Sequence, residues 1–407
     1  MFRALVLVSV WDLGMGSLER DMFEAPAPHQ VYRGSASTIS TLPHACRKLL
    51  TDLQSAKQYP LLDMLANALT CYEPRLQWRE ITSYIGYTSR GMYSKLMKLL
   101  RSCIYDYVSL RPGLLASHMR SISILGLTSI VALADTSFLN KLHNNLDSFD
   151  PVYRLVGSVV AFADGTVLVT FRSPRRLTNE FLAMLEKVKG LEILGRYETV
   201  LVKSLDCIEN PEAEVRRQLS IRCEPTARCF RFIDALITSA IDLNPLLTLR
   251  DVSTKVLSIA RFGDEDLFGG RRLSFRYVLR HYRSLAETGV FGRVWIQPVR
   301  VHRTVAFRVA AGAVMEVYRF LAAYRATGYM LYSPEHGDAI VVSALLPEEV
   351  FYELVARFAD DIELFNHTVY QASFPLPFEF IDPRTGDWTL DYNKEVLEYT
   401  RRLRIFS

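Results

Sequence analysis

The sequence predicts an α+β fold in which two winged helix-turn-helix domains alternate with two ferredoxin-like βαββαβ domains. A chain of 407 residues is longer than one hydrophobic core usually serves. Segments with helical periodicity and segments with alternating periodicity follow one another in a defined order along the chain. The same order recurs roughly 175 residues later. We therefore expect a duplicated two-domain unit.

The first winged-helix domain is predicted from three helical segments and a strand. Apolar residues at helical spacing in 61–69 indicate the first helix, and a short helix is expected from Trp78 to Tyr84. A third helix is expected from Thr88 to Ile104, followed by the alternating, strand-like segment from Tyr105 to Pro112. Three helices and a terminal strand are the outline of a winged helix-turn-helix.

The next segments have the order strand, helix, strand, strand, helix, strand. Residues 129–135 indicate a strand, and Thr136 is a suitable N-cap for the helix that follows. Asp164-Gly165 is a strong hairpin signal between two apolar strands. A helix closed by Gly190 and a last strand complete the pattern, which is that of a ferredoxin-like domain.

The second copy repeats this order after a charged helix from Glu212 to Gln218. Three helical segments at 229–244, 248–257 and 273–289 precede a predicted two-stranded wing that turns at Gly292. A second ferredoxin-like pattern begins at 303. We expect these domains: an N-terminal extension at 1–45, winged helices at 46–118 and 225–300, ferredoxin-like domains at 119–207 and 301–385, a linker helix at 208–224, and a basic C-terminal helix at 386–407.

Positive charge is concentrated in and near the third helix of each winged-helix domain. The formal net charge is +4, but 79–101 holds five basic residues against the single acid Glu80, and 271–283 holds five arginines and no acid. In a recognition helix, short polar side chains contact base edges while cations contact phosphates. The predicted DNA-binding residues are Ser89, Arg90, Tyr93, Ser94, Lys95, Lys98 and Arg101 in the first copy, and Arg271, Arg272, Ser274, Arg276, Tyr277, Arg280, His281, Arg283 and Arg293 in the second.

An alternative for either helix is a solvated surface with no nucleic-acid role. Apolar residues at Met92, Leu96, Leu99, Leu100 and Cys103 define an inner face for the first helix. Those at Phe275, Val278, Leu279, Tyr282 and Leu285 define one for the second. The second copy also carries an insertion at 259–272 that contains three adjacent acids, which would repel phosphate.

The segment "ITSYIGYTSRGMYSKLMKLLRSCIY" resembles the helix-turn-helix of archaeal and bacterial Lrp/AsnC-type transcription regulators. "GDAIVVSALLPEEVFYELVARFADD", from Gly337 to Asp361, is similar to a stretch of the ferredoxin-like domain of that family. The resemblance implies duplex DNA as a partner and a ferredoxin-like domain that pairs or senses a small effector. Because family members usually hold one unit per chain, two fused copies suggest a pseudo-dimer within one chain, with a homodimer as the other arrangement.

Other classes of function are not supported by the sequence. No catalytic motif, phosphate loop, dinucleotide fingerprint or histidine pair is present, so we expect no enzyme activity, no cofactor and no metal.

The six cysteines form no C-x-x-C pair, which favours buried thiols of an intracellular protein. The apolar segment from Phe2 to Trp11 lacks a cleavage site, so the cytoplasm is the expected location. Arginine outnumbers lysine, as in some thermophile families. The alternative to a transcription regulator is a scaffold whose winged helices dock protein or RNA.

Overall fold

The structure is a computed structural model. It describes residues 60–86, 90–102, 114–119, 122, 125–145, 148–220, 232–243, 245–260, 273–287, 293–298, 303–374, 376–382, 385–394 and 396–398. The expectations for the N-terminal extension, the strand at 105–112, most of the acidic insertion and the end of the C-terminal helix lie outside these ranges. Within them, no helix has the length and apolar character needed to cross a membrane.

The first winged-helix unit has its three helices close to the predicted positions. They are α1 (Pro60–Cys71), α2 (Trp78–Tyr84) and α3 (Arg90–Ser102), and strand β1 (Leu114–Met119) follows. Gly86, with φ of 74°, forms part of the turn between α2 and α3. This left-handed backbone conformation favours glycine, which explains its place before the third helix.

The first ferredoxin-like unit follows the predicted order. Its elements are β2 (Leu127–Asp135), α4 (Thr136–Asn145), α5 (Pro151–Arg154), β3 (Val156–Phe162), β4 (Thr166–Pro174), α6 (Thr178–Leu185) and β5 (Leu191–Leu201). The Asp164-Gly165 hairpin turn is confirmed, with Gly165 at φ of 84°. The Asp164 side chain accepts a hydrogen bond from the Thr166 backbone N–H, as turn aspartates commonly do.

The second copy repeats both units. After α7 (Pro211–Ser220), its winged-helix unit contains α8 (Phe232–Leu243), α9 (Leu249–Ala260), α10 (Phe275–Glu287) and β6 (Arg293–Pro298). Its ferredoxin-like unit contains β7 (Arg303–Val309), α11 (Val314–Tyr324), β8 (Tyr329–Tyr332), β9 (Ala339–Leu346), α12 (Glu348–Phe358) and β10 (Ile362–Leu364), followed by β11 (Thr368–Ser373). The predicted α+β fold class is confirmed.

The two ferredoxin-like sheets join within the single chain. In the described residues they form a nine-stranded sheet in the order β10-β7-β9-β8-β5-β2-β4-β3-β11. The end of β5 pairs with β8, and β11 pairs with β3. Strands β10 and β11 stand at opposite ends of this order, yet only residues 365–367 separate them, so their facing ends lie at most about 14 Å apart. The sheet must therefore curl until its edges adjoin.

An apolar layer fills the space between the two curled halves. It contains side chains from both copies: Val131, Val160, Phe162, Leu168, Tyr197, Ala306, Leu331, Ile340 and Val342. Alternate residues of the same strands point to the other face and pack beneath the helices of each copy. This period-2 alternation buries both faces of the strands and fixes their register.

The wing was predicted as a local two-stranded hairpin turning at Gly292, and its first strand and its turn lie outside the described residues. Strand β6 pairs in antiparallel register with β1 of the first copy, from Leu114 opposite Pro298 to Met119 opposite Arg293. Val294 and Ile296 of β6 also complete the apolar core of the first winged-helix unit. Each winged-helix unit thus contributes one strand to this pair, and the two strands satisfy each other's backbone hydrogen bonds.

A buried charged cluster locks the two winged-helix units together. Arg75 of the first copy donates from Nη1 to Glu73 Oε1 at 2.9 Å and from Nε to the Leu247 carbonyl at 2.8 Å. It also donates to the Pro245 carbonyl. Tyr282, on α10, accepts from Arg75 at 3.2 Å and donates to Glu73. The charges are thus paired and hydrogen-bonded, as buried charges must be.

Two cysteines expected to be thiols form a disulfide. Cys71, at the end of α1, is bonded to Cys207, in the turn after β5, with their Cα atoms 5.8 Å apart. Because 136 positions separate them in sequence, their pairing depends on tertiary structure rather than on local spacing. The other four cysteines lie outside the described residues.

We expect the protein to lose stability in acid as Glu214, on α7, becomes protonated. Burial raises the pKa of Glu214, but hydrogen bonds from Arg217 and Lys203 outweigh it and lower the pKa to about 2. The stabilisation from ionised Glu214 is therefore complete above pH 4.5, the ordinary pKa of a glutamate, and is lost as the pH falls toward 2. We expect Glu214→Gln to lower the melting temperature at pH 7 and to flatten its decline between pH 4.5 and pH 2, measured by calorimetry.

The control for this prediction is Glu212→Gln on the same helix. Glu212 pairs with Arg216 at 3.4 Å, and both side chains are exposed. Exposed pairs contribute little to stability, so this variant should follow the wild-type acid profile. An equal effect of the two substitutions would contradict the role assigned to Glu214.

Candidate functional site

Tyr197, Arg308 and Asp338 form a polar cluster at one end of the layer between the two sheets. Tyr197 comes from β5 of the first copy, whereas Arg308 comes from β7 and Asp338 immediately precedes β9 in the second copy. Gly337, with φ of 73°, lies in the hairpin turn that positions Asp338 beside the sheet. The cluster therefore exists only because the two copies pair.

The geometry leaves two buried polar atoms without partners. Arg308 donates from Nε to Asp338 Oδ2 at 2.7 Å, and its Nη2 lies 2.6 Å from the same oxygen. Asp338 Oδ1 and the Tyr197 hydroxyl have no hydrogen-bond partner in the described structure. Tyr197 is 1% exposed, and the side chains of Asp338 and Arg308 are 8% and 43% exposed. A buried polar group without a partner costs free energy, so such groups often mark functional sites.

The electrostatics of the cluster keep Tyr197 protonated. Burial raises the pKa of Tyr197, the nearby Asp338 charge raises it further, and Arg308 partly offsets both. The hydrogen bond to Asp338 raises the pKa of Arg308, so the guanidinium stays charged. The cluster thus offers a phenol donor, a carboxylate acceptor and a cation that reaches solvent.

The equivalent positions in the other half lack this chemistry. The strand registers place Leu133 where the second copy has Arg308 and Thr166 where it has Asp338. Thr368 occupies the position that corresponds to Tyr197. The Thr368 hydroxyl is also buried and without a partner, but no described ionisable side chain stands at the other two positions. Only one of the two related places carries the charged set.

Sequence reasoning missed this site. From the sequence, His336-Gly337-Asp338 indicates a hairpin turn, which the structure confirms, and Tyr197 and Arg308 lie in segments that indicate only strands. The available signal was an arginine at an otherwise apolar strand position, since a charge on the buried face of a strand needs a partner.

The predicted DNA-binding residues of α3 do not share one exposed face. Tyr93, expected to face outward, is buried, and its hydroxyl donates to the Pro74 carbonyl at 2.5 Å. Arg101 is half-buried, and burial lowers its pKa while Asp251 of the second copy raises it. This part of α3 therefore faces the second winged-helix unit. The exposed members are Arg90, Ser94 and Lys98.

The predicted residues of α10 also divide between surface and interior. His281 is held by Asp234 through Nδ1 at 2.8 Å, with a side chain only 12% exposed, and Tyr277 packs against its ring at 4.5 Å. Phe275, expected on the inner face, is 44% exposed, whereas Tyr282 is buried as expected. The exposed members are Ser274, Arg276, Arg280 and Arg283.

The remaining predicted residues are Ser89, Lys95, Arg271, Arg272 and Arg293. Ser89, Arg271 and Arg272 lie outside the described residues. Lys95 lies in α3 and Arg293 in β6. Across the described ranges, no group of histidine, cysteine and acidic side chains has the geometry of a metal site.

Comparison with known proteins gives structural matches only. No protein-family model and no curated protein matches the chain. Among solved structures, the chain is similar to the siroheme decarboxylase NirDL, with a TM-score of 0.41 and 14% identity over 85% of this chain and 99% of that one. It is also similar to NirDL in complex with an iron-uroporphyrin III analogue, with a TM-score of 0.40 and 14% identity over 85% of this chain and 100% of that one.

These findings correct the expected function. Both similar structures are of an enzyme, and the named ligand is a tetrapyrrole analogue rather than DNA. The predictions of a DNA-binding transcription regulator, of duplex DNA as the partner, of a docking scaffold and of a chain without enzyme activity are wrong on this comparison. The burial of Tyr93 and His281 and the partial burial of Arg101 give a physical reason, because these side chains contact protein within the paired winged-helix units.

Proposed function

We propose that the chain is an enzyme that binds a carboxylate-bearing small molecule at the Tyr197–Arg308–Asp338 cluster and transfers a proton there. One observation carries this proposal: the Tyr197 hydroxyl and Asp338 Oδ1 are buried without partners beside a cation that is partly exposed. A ligand with hydrogen-bonding groups would satisfy both atoms. Such a donor, acceptor and cation in one place match the usual parts of a small-molecule site.

The roles follow from the chemistry of each group. Arg308 would hold a ligand carboxylate, because guanidinium groups bind carboxylates through charge-assisted hydrogen bonds. Tyr197, protonated because of its raised pKa, would act as the proton donor, and Asp338 would accept a hydrogen bond from the ligand. In a decarboxylation, the C–C bond breaks, carbon dioxide leaves, and the electron pair left on carbon takes a proton, which Tyr197 would supply.

A ligand titration tests the site directly. The probe is iron-uroporphyrin III, a polycarboxylate of the kind named for the similar structure, added to the full chain and followed by absorbance. We expect saturable binding that Arg308→Ala weakens about 10- to 100-fold, since a hydrogen bond to a charged group contributes about 1.5–3 kcal/mol. Siroheme with detection of released carbon dioxide is the matching activity assay.

Arg319→Ala is the matched control for the titration. Arg319 lies in α11 of the same copy and pairs with Glu316 on that helix at 2.7 Å, so its loss should leave binding unchanged. Equal affinities of the wild type and Arg308→Ala would contradict the proposed site, as would no binding at all by the wild type.

Three further expectations remain proposals. They are the domain boundaries given above, a relationship to archaeal Lrp/AsnC-type proteins, and a cytoplasmic location. The duplicated order of elements supports the first two. Limited proteolysis of the full chain would test the boundaries, and cell fractionation would test the location.

A further inference from the structure

The Cys71–Cys207 disulfide lies at the junction between the first winged-helix unit and the paired sheets. Cys71 ends α1, and Cys207 ends the short turn Leu205–Cys207 that follows β5. Both residues are partly exposed, so a small reagent in solvent can reach the bond. We call this place the α1–β5 junction.

The contacts that surround the disulfide at this junction are polar. Tyr84 donates to Asp206 Oδ2 at 2.6 Å, and the Asn67 amide lies 3.5 Å from the same oxygen. Arg325, from the second ferredoxin-like unit, donates to Asn67 Oδ1 at 3.1 Å. The first two contacts are exposed, and exposed polar contacts contribute little to stability because water replaces them.

The apolar core of the first winged-helix unit does not extend across the α1–β5 junction. The described core of the first winged-helix unit contains Leu65, Leu69 and side chains from the second winged-helix unit, but none from the sheets. A separate small cluster of Leu201, Trp295 and Leu345 connects β6 to the sheets. The second winged-helix unit, in contrast, shares a large core with the start of β2. The first unit therefore depends on the disulfide more than the second does.

We propose that the Cys71–Cys207 bond is a redox latch that holds the first winged-helix unit on the sheets and is released by a dithiol reductant. In the reaction, the two reductant thiols supply two electrons and two protons. The S–S bond of the protein breaks to give two cysteine thiols, and the reductant closes to its own disulfide. Once the tether is open, the junction keeps its hydrogen bonds and one small apolar cluster. These hydrogen bonds include the two exposed contacts of Asp206, the Arg325–Asn67 bond, and a buried bond in which the Ser204 backbone N–H donates to Thr70 Oγ1 at 3.0 Å. The cluster is that of Leu201, Trp295 and Leu345.

Hydrogen exchange measured by mass spectrometry on the full chain tests the latch. The oxidised protein is compared with protein reduced by dithiothreitol. After reduction, we expect backbone amides in 60–72 and 202–208 to exchange about tenfold faster or more, because local opening becomes easier. Amides of β2 (Leu127–Asp135), which lie in the centre of the sheet, should not change.

The Cys71→Ser variant provides the control, since it cannot form the bond. Its exchange at both segments should match that of the reduced wild type and should not respond to dithiothreitol. Identical exchange of the oxidised and reduced wild type would overturn the proposal. So would alkylation of both cysteines in protein prepared without reductant, because the bond would then not form. If Cys71→Ser fails to fold, the comparison of the two wild-type states decides.

Discussion

Replacement of Arg75 by alanine is expected to lower the free energy of unfolding by about 3–5 kcal/mol, because it leaves a buried carboxylate without its partner. The side chains of Arg75 and Glu73 are 3% and 4% exposed, so water cannot compensate for the lost charge. The substitution also removes the donors to the Leu247 and Pro245 carbonyls. Urea denaturation followed by circular dichroism measures the loss.

A matched substitution on the surface separates this effect from the general loss of an arginine. Arg216 is 80% exposed and pairs with Glu212 within α7, so Arg216→Ala should change stability by less than about 0.5 kcal/mol. The combination Glu73→Gln with Arg75→Met removes both charges and should recover part of the stability. A loss below about 1 kcal/mol for Arg75→Ala would show that the cluster does not hold the units together.

Tyr197→Phe should abolish most of the proposed enzyme activity while leaving the fold intact. A positioned proton donor contributes about 10²- to 10⁴-fold to a rate, so we expect a decrease of at least about 100-fold in the carbon dioxide release assay. Because the Tyr197 hydroxyl has no partner, its removal breaks no hydrogen bond. The melting temperature should therefore stay the same or rise.

Tyr318→Phe is the contrasting control for that prediction. The Tyr318 hydroxyl is also buried, but it accepts from the Lys203 backbone N–H at 3.2 Å and donates to the Leu201 carbonyl at 3.3 Å. Its loss should lower stability by about 1 kcal/mol and leave ligand binding unchanged. Full activity of Tyr197→Phe, or a destabilisation as large as that of Tyr318→Phe, would contradict the assigned role.

Elements with clear local signals were predicted well. Helix α2 was expected from Trp78 to Tyr84 and lies there, and the hairpin at Asp164-Gly165 was expected from its turn residues alone. These features depend on periodicity and backbone conformation, which act over a few residues. The paired wing strands were not predicted, because β1 and β6 come from different copies and neither sequence specifies its partner.

The candidate site shows the same division. Gly337 and Asp338 could be recognised as a turn from sequence, but the meeting of Asp338 with Tyr197 depends on how β5 and β8 pair. Helices α3 and α10 were predicted to bind DNA because their basic residues can be counted directly in the sequence. Whether a charged or polar side chain of a helix faces solvent or a neighbouring unit is decided by packing, as Arg101 shows.

The α+β class, the duplicated order of elements and the position of most helices and turns follow from local periodicity and turn chemistry, which can be recognised in the amino-acid sequence alone. Three features become known only from the packed chain: the two copies pair with each other, Arg75 contacts Tyr282, and Cys71 bonds to Cys207. The physical reason is that these contacts join residues more than one hundred positions apart. Such contacts stabilise the protein only after the sheets have curled and the winged-helix units have packed together.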